Sequence, residues 1–206
     1  MRILHNLMLL IALAALSFTA TALCATEPAP QDLQGNSVST LAGPGVRVVV
    51  LVFGATDCPI SNRYVPEIAR LRKLFGAPDT TGTGPVRFWW VYPNAEDTTE
   101  LIKAHNQEFQ ITEDQSLGTL RDIGQTLARK SEATTTPEAA VFVVEKGTFR
   151  LVYHGRIDDH YRAIGEERPK AEHHELEEAI AAALAGKAVP QPGGPPAGCA
   201  IIYDKK

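Results

Sequence analysis

The order of apolar and polar residues along the chain predicts a β-strand followed at once by a helix. Residues 46–53 form a continuous run of mostly β-branched side chains, which is typical of a strand buried on both faces of a sheet. Residues 59–75 carry apolar side chains at helical spacing, and Pro59 suits the first turn of a helix. A short turn over residues 54–57 joins the two elements, so Cys58 falls at the start of the helix.

The remaining pattern alternates strands with helices. It predicts, in chain order, a strand over residues 86–92, a helix over 98–109, a shorter helix over 117–129, strands over 139–144 and 149–153, and a helix over 172–185. The tight turn at Lys146 and Gly147 joins the last two strands into an antiparallel hairpin. This alternation predicts an α/β fold with helices on both faces of one sheet.

The N-terminal residues 1–24 have the pattern of a secretory signal peptide. A positive start precedes an apolar run over residues 7–16, and small residues at 20–22 offer a cleavage site. The apolar run is short for a permanent membrane anchor. A lipoprotein, with Cys24 acylated, is the alternative. We therefore expect an exported protein of the periplasm or cell envelope, with its main domain over residues 25–186.

The composition narrows the function further. Residues 187–206 are rich in Pro and Gly and predict an extended C-terminal tail that carries Cys199. The chain of 206 residues holds only three cysteines, which is too few for a scaffold of disulfides. Its formal net charge of −4 argues against binding nucleic acid, since such surfaces are normally basic.

Cys58 is the residue with the strongest chemical expectation. A cysteine at a helix N-terminus faces unpaired backbone N–H groups and the positive end of the helix dipole, which stabilise a thiolate. A thiolate is the nucleophilic form of cysteine. Ser61 lies three residues further on, so its hydroxyl would be within reach to donate a hydrogen bond to the sulfur. The alternative is a buried, inert cysteine.

Residues 53–61 resemble the strand-turn-helix active site of thioredoxin-like proteins. Cys58 stands as the first cysteine of their C-x-x-C motif, and Ser61 stands at the position of the second. Thr136 and Pro137 resemble the loop of the same fold in which a cis-proline lies beside that cysteine. Residues 143–156 are similar to its closing hairpin.

The resemblance implies a thioredoxin-like three-layer α/β/α sandwich with a mixed β-sheet. Exported bacterial redoxin-domain proteins of the alkyl hydroperoxide reductase/thiol-specific antioxidant and TlpA-like group are the most similar, on residues 58–64 and 198–201. Such a protein would be a thiol oxidoreductase without cofactor or metal, acting on a protein disulfide or a peroxide and served by an unknown envelope reductant. The substrate groove would contain Asp57, Pro59, Thr136 and Pro137.

The chain also departs from the patterns of this fold. Without a second cysteine in C-x-x-C, Cys58 cannot form a vicinal disulfide. The peroxiredoxin pattern P-x-x-x-T-x-x-C is absent as well, because Leu51 and Ala55 stand where Pro and Thr would be. Cys199 is the candidate to resolve an oxidised Cys58 by forming a disulfide with it. The alternative for Cys199 is a structural or unpaired cysteine of the tail.

A copper-binding chaperone of the same fold is the competing function. Thiolate and imidazole together suit copper, so Cys58 with His154 would form such a site. The other polar residues that attract notice are expected to be solvated: His105 on the second helix as a surface residue, His173 and His174 at the start of the last helix, and Asp158 with Asp159 in a polar turn.

Overall fold

A five-stranded mixed sheet forms the centre of the computed structural model, which describes residues 28–76 and 84–205. The strands of the main sheet are β1 (Val48–Phe53), β2 (Val86–Tyr92), β3 (Leu117–Arg121), β5 (Glu138–Glu145) and β6 (Thr148–Gly155). Two short pairs add β4 (Thr135–Thr136) with β9 (Cys199–Ala200), and β7 (Tyr161–Ala163) with β8 (Glu166–Glu167). The helices are α1 (Pro59–Phe75), α2 (Thr99–Glu108), α3 (Thr126–Lys130) and α4 (Glu175–Leu184).

The strand order in the sheet is β3-β2-β1-β5-β6. Strands β1, β2 and β3 run parallel, whereas β5 is antiparallel to both β1 and β6. Every residue of β1 is buried, as expected of a central strand covered on both faces. The predicted fold class, a thioredoxin-like α/β sandwich with a mixed sheet, is confirmed.

Alternate side chains of β1 build two separate cores. Val50 belongs to the core on the face that α1, α2 and α4 cover, and Trp90 on β2 lies in the same core. Leu51 belongs to the opposite core, which the short α3 covers together with apolar residues from both ends of the domain. None of the helices in residues 28–76 and 84–205 has the length and apolar character needed to span a membrane. The predicted signal peptide, with Cys24, lies outside the described residues.

The prediction of a helix over residues 117–129 is wrong. Its first part is the parallel edge strand β3, and only Thr126–Lys130 is helical. The physical reason is packing against β2: a Cβ on Gly118 would lie 2.3 Å from the Trp89 ring, so the strand fits closely over the indole only because it has no side chain there. The peptide N–H and C=O of Gln31 pair with Arg121 and cover the end of this edge strand.

The C-terminal tail docks on the face that α3 covers. Beyond β9, the Ile201 side chain is buried in the core, and its N–H donates to the Thr134 carbonyl at 2.9 Å. The Gln125 side chain donates to the Ile202 carbonyl at 2.7 Å. The Arg129 guanidinium lies over the ring of Tyr203, with Cζ 4.6 Å from the ring centroid. These contacts anchor the tail just beyond Cys199 and so fix the position of that residue.

Candidate active site

Cys58 is the N-cap residue of α1 and has no solvent-accessible surface. Strand β1 leads directly into the turn before it, and Pro59 occupies the first helical position, where a missing N–H leaves no bond unmade. The thiol donates a hydrogen bond to the Thr136 carbonyl, with Sγ 3.0 Å from the oxygen. The Thr136–Pro137 peptide is cis. The turn, the helix start and the proline loop therefore meet at this sulfur.

Cys199 lies directly beside Cys58 because β9 pairs with β4. In this antiparallel pair Cys199 faces Thr136, whose hydroxyl also donates to the Cys199 carbonyl at 3.3 Å. The thiol and the backbone N–H of Cys199 both contribute to lowering the pKa of the Cys58 thiol. Cys58 and Cys199 are free thiols in the structure. Two cysteines that are far apart in the sequence thus form one pair in space.

The surroundings shift the pKa values of the two thiols in opposite directions. Burial works to raise the pKa of Cys58, but hydrogen bonds from Ser61 and Cys199 outweigh it, so the net pKa is lower than that of an ordinary thiol. The pKa of Cys199 is raised by its own burial, by the hydrogen bond to Cys58 and by the negative charges of Cys58 and Asp57. Cys58 is therefore the more acidic thiol of the two and the one that more readily becomes a thiolate.

Ser61, in the first turn of α1, acts on the acidity of the Cys58 thiol. Its side chain is fully buried, and its hydroxyl has no hydrogen-bond partner of ordinary geometry among residues 28–76 and 84–205. A buried hydroxyl without such a partner calls for an explanation. The charged form of Cys58 supplies one, because the hydroxyl lowers the pKa of that thiol.

Two buried polar networks hold the start of α1 in place. Asp97 accepts from both the N–H and the hydroxyl of Thr56, in the turn before Cys58. His105 joins Asn62 on α1 to Tyr92 on β2, with Nε2 2.7 Å from the amide oxygen and Nδ1 2.9 Å from the phenol oxygen. The prediction that His105 is a surface residue is wrong, since it is 4% exposed and packed against Phe109.

The expected polar turn at Asp158 and Asp159 is also corrected. Both side chains are buried, and Asp158 accepts a hydrogen bond from the Tyr64 hydroxyl. Carboxylates of Glu67 and Asp158 and the imidazole of His174 lie within 4.8 Å of one another, the one group of three such ligands in the described residues. Tyr64 and an arginine already engage its two carboxylates, so the cluster has partners without an ion.

The copper alternative finds no support in this geometry. The His154 nitrogens lie 3.7 Å from a carboxylate oxygen of Glu132 and 3.6 Å from one of Glu138. Neither His154 nor Cys58 belongs to a group of three metal ligands within the described parts of the chain. The His154 imidazole therefore faces carboxylates and not the Cys58 thiolate with which it would bind copper.

An open cleft of about 380 Å³ leads to the cysteine pair. Pro59 and Cys199 line it, whereas the exposed Asp57 acts on the site through its charge. The sequence did not predict the opposite wall of this cleft, formed by the β7–β8 hairpin, because strands this short show no clear alternation of apolar and polar residues. Gly198, in the residues 198–201 noted from the sequence, has no room for a side chain, because a Cβ there would lie 2.0 Å from the Thr136 carbonyl oxygen.

Comparisons with known proteins bear on the fold. An uncharacterized conserved protein from Geobacillus kaustophilus superposes with a TM-score of 0.59 and 22% identity, covering 88% of this chain and 92% of its own. A hypothetical protein from Sinorhizobium meliloti gives 0.60 and 22%, covering 88% and 94%. A thioredoxin-related protein from Neisseria meningitidis gives 0.49 and 15%, covering 76% and 98%. No protein-family model and no curated protein sequence matches the chain. At such identities, the first two similarities show a shared fold.

Proposed function

We propose that this protein is a thiol oxidoreductase whose redox centre is the pair Cys58 and Cys199. The observation that carries the proposal is the pairing of β9 with β4, which places Cys199 opposite Thr136, the residue whose carbonyl oxygen lies 3.0 Å from the Cys58 sulfur. A thiolate beside a thiol is the reduced half of a disulfide couple. Oxidation by a partner disulfide would join the two sulfurs, and the two electrons and the proton of Cys199 would pass to the partner, whose own disulfide is broken.

Exchange with a thiol or disulfide partner is the reaction that the site supports best. The residues in the positions where a peroxiredoxin holds Pro and Thr are Leu51 and Ala55, and both are buried in apolar surroundings. They offer no polar side chain to orient a peroxide. The wide cleft in front of Cys199 instead leaves room for a cysteine-bearing partner. We therefore propose disulfide exchange as the main activity and peroxide reduction as the weaker one.

The location that goes with this function is outside the cytoplasm. The signal-peptide pattern of residues 1–24 supports it, and so does the chemistry, because disulfides form and persist in oxidising compartments. Sequencing the N-terminus of the protein recovered from the cell envelope would test this. Recovery of the full-length chain from the cytoplasm would contradict it.

The redox pair is tested by equilibrating the full chain in buffers of reduced and oxidised glutathione, followed by peptide mapping. We expect an intramolecular Cys58–Cys199 disulfide that is lost in both Cys58→Ser and Cys199→Ser. Cys24→Ser is the matched control and should keep the disulfide. A chain that stays fully reduced under oxidising buffers, or that pairs other cysteines, would refute the proposal.

A further inference from the structure

The two sulfurs of the redox pair differ in what they present to solvent. Cys58 is 0% exposed and lies beneath the strand that β9 adds to the proline loop. Cys199 is half-buried and lines the open cleft, and Cys58 does not. A partner that approaches the folded protein through this cleft thus meets the sulfur of Cys199 first.

The tail does not clear the way to Cys58. It is anchored immediately beyond Cys199 by the buried Ile201 side chain, by the pairing of Ile201 with Thr134 and by the bonds to Gln125. Moving it off Cys58 would break these contacts and expose an apolar side chain to water. Reaction at Cys199 requires none of this.

The walls of the cleft are apolar. One side is the start of α1, with Pro59 and the half-buried Ile60, and the other is the β7–β8 hairpin, with Tyr161 and Ile164. Ile164 is 74% exposed, near the turn of the hairpin. A large aliphatic side chain held this far out in water, beside a reactive sulfur, gains free energy when an apolar group covers it.

The charges around the cleft are mainly negative. Arg63 pairs with Glu167 at 3.0 Å, so these two compensate each other. Glu166, also in the lining, has no ion-pair partner in residues 28–76 and 84–205, and Asp57 adds a carboxylate close enough to act on Cys199. A cysteine on an anionic peptide is therefore repelled more strongly at this surface than a cysteine on an uncharged peptide.

We propose that Cys199 is the sulfur that exchanges with the partner, and that the cleft receives a cysteine flanked by apolar residues on an uncharged polypeptide segment. This inference rests on the proposed redox pair and assigns the order of events within it. In this order of events Cys58 reacts only with Cys199 inside the protein, whereas the sequence predicted that Cys58 is the nucleophile that attacks the substrate.

The partner thiolate attacks Cys199 Sγ, forming a partner–Cys199 disulfide, while the Cys58–Cys199 bond breaks and its electron pair leaves on Cys58 as a thiolate. A second thiol of the partner then attacks the partner's own sulfur, and Cys199 departs and takes up a proton. Two electrons pass from the partner dithiol to the protein, and the partner gains a disulfide. The lowered pKa of Cys58, to which the Ser61 hydroxyl contributes, favours Cys58 as the leaving group.

The order of attack is read directly from the mixed disulfide. The full chain is oxidised with diamide, and mapping first establishes the Cys58–Cys199 disulfide. A blocked leucine-cysteine-leucine tripeptide is then added in millimolar excess, and the reaction is quenched early with N-ethylmaleimide in denaturant. We expect the tripeptide on Cys199 and the maleimide on Cys58. The tripeptide on Cys58 would overturn the inference and leave the redox pair intact, whereas absence of the first disulfide would overturn both.

The cleft is tested with a matched pair of variants. Ile164→Ser removes the exposed apolar side chain of the hairpin, and Ile202→Ser removes one of similar exposure, 66%, from the tail. We expect Ile164→Ser to slow exchange with the leucine tripeptide about fivefold, with no effect on β-mercaptoethanol, because only the tripeptide covers the side chain. Ile202→Ser should change neither rate. Equal effects of the two variants would refute the role of the cleft.

Charge supplies an independent readout. A tripeptide with aspartate in place of both leucines should react more slowly than the leucine tripeptide, and added salt should narrow the difference, since salt screens exposed charges. Glu166→Gln should narrow it as well. An aspartate tripeptide that reacts as fast as the leucine tripeptide at low salt would overturn the proposed partner chemistry.

Discussion

Gly198→Ala is the most direct test of the assembled cysteine pair. A Cβ at this position would lie 2.0 Å from the Thr136 carbonyl oxygen, whereas real Cβ contacts are essentially never shorter than 3.0 Å. The obstacle is backbone of the proline loop, which cannot rotate away as a side chain would. Strand β9 must therefore move off β4 by about 1 Å, and Cys199 moves with it.

This displacement is large on the scale of a disulfide. The Cβ atoms of a disulfide lie roughly 3.5–4.5 Å apart, so a shift of ~1 Å uses up that whole range. If ~2 kcal/mol of strain results, the reduction potential of the pair rises by roughly 40 mV, because 30 mV corresponds to about 1.4 kcal/mol for two electrons. The shifted strand also uncovers Cys58, so its alkylation in the reduced protein should become faster.

The potential is measured from the disulfide fraction in glutathione redox buffers, and the alkylation rate from the reaction of the reduced protein with iodoacetamide. Gly43→Ala is the matched control, because a Cβ there meets nothing within 4 Å. Circular dichroism of both variants checks that the fold is retained. A folded Gly198→Ala protein with unchanged potential and an unchanged Cys58 rate would refute the close packing of β9 on the proline loop.

Two further predictions concern the groups around the helix start. Ser61→Ala should slow alkylation of Cys58 at neutral pH by about tenfold, because the thiolate loses a charge-assisted hydrogen bond. Ser131→Ala, which removes another buried hydroxyl, should leave that rate unchanged. Burial lowers the pKa of His105, so the unfolded chain binds a proton at higher pH than the folded protein. As the pH is lowered below the ordinary histidine value of 6.5, the free energy of unfolding should decrease by up to about 1.4 kcal/mol per pH unit. His105→Gln should flatten this part of the urea-denaturation profile and the exposed His173→Gln should not; equal profiles for both variants would contradict the assignment.

Strong local signals are what made part of the fold predictable from sequence. The long apolar run of β1 and the proline at the first position of α1 fix the strand-turn-helix unit, and α1 has the predicted bounds, Pro59–Phe75. The hairpin of β5 and β6 follows in the same way from the turn at Gly147. In each case the residues that decide the structure are close together in the sequence.

Edge strand β3 shows where such reasoning fails. Five residues with one glycine carry little strand signal, and the apolar spacing over residues 117–129 also fits a helix. What decides the conformation is the fit of Gly118 over Trp89 of the neighbouring strand. This contact is between elements, so the local pattern does not contain it.

The sequence-based predictions for buried polar residues fail for the same reason. His105 looks like a surface residue on its own helix, but its partners Asn62 and Tyr92 come from two other elements. Asp158 looks like part of a polar turn until the Tyr64 hydroxyl reaches it from α1. A side chain can be recognised as buried and satisfied only once its partners are placed, and these partners lie far away in the sequence.

The separation of Cys58 and Cys199 along the chain couples redox chemistry to folding. A disulfide between them would close a loop of 142 residues, residues 58–199 counted inclusively, whereas a C-x-x-C disulfide closes a loop of four. By chain entropy, closing so long a loop removes freedom of the unfolded chain worth about 5 kcal/mol at 25 °C. Oxidation would thus stabilise the whole domain, and by linkage the folded state would draw the pair toward the disulfide. The same pair of sulfurs would then act as both the reactive centre and a clasp between the two ends of the domain.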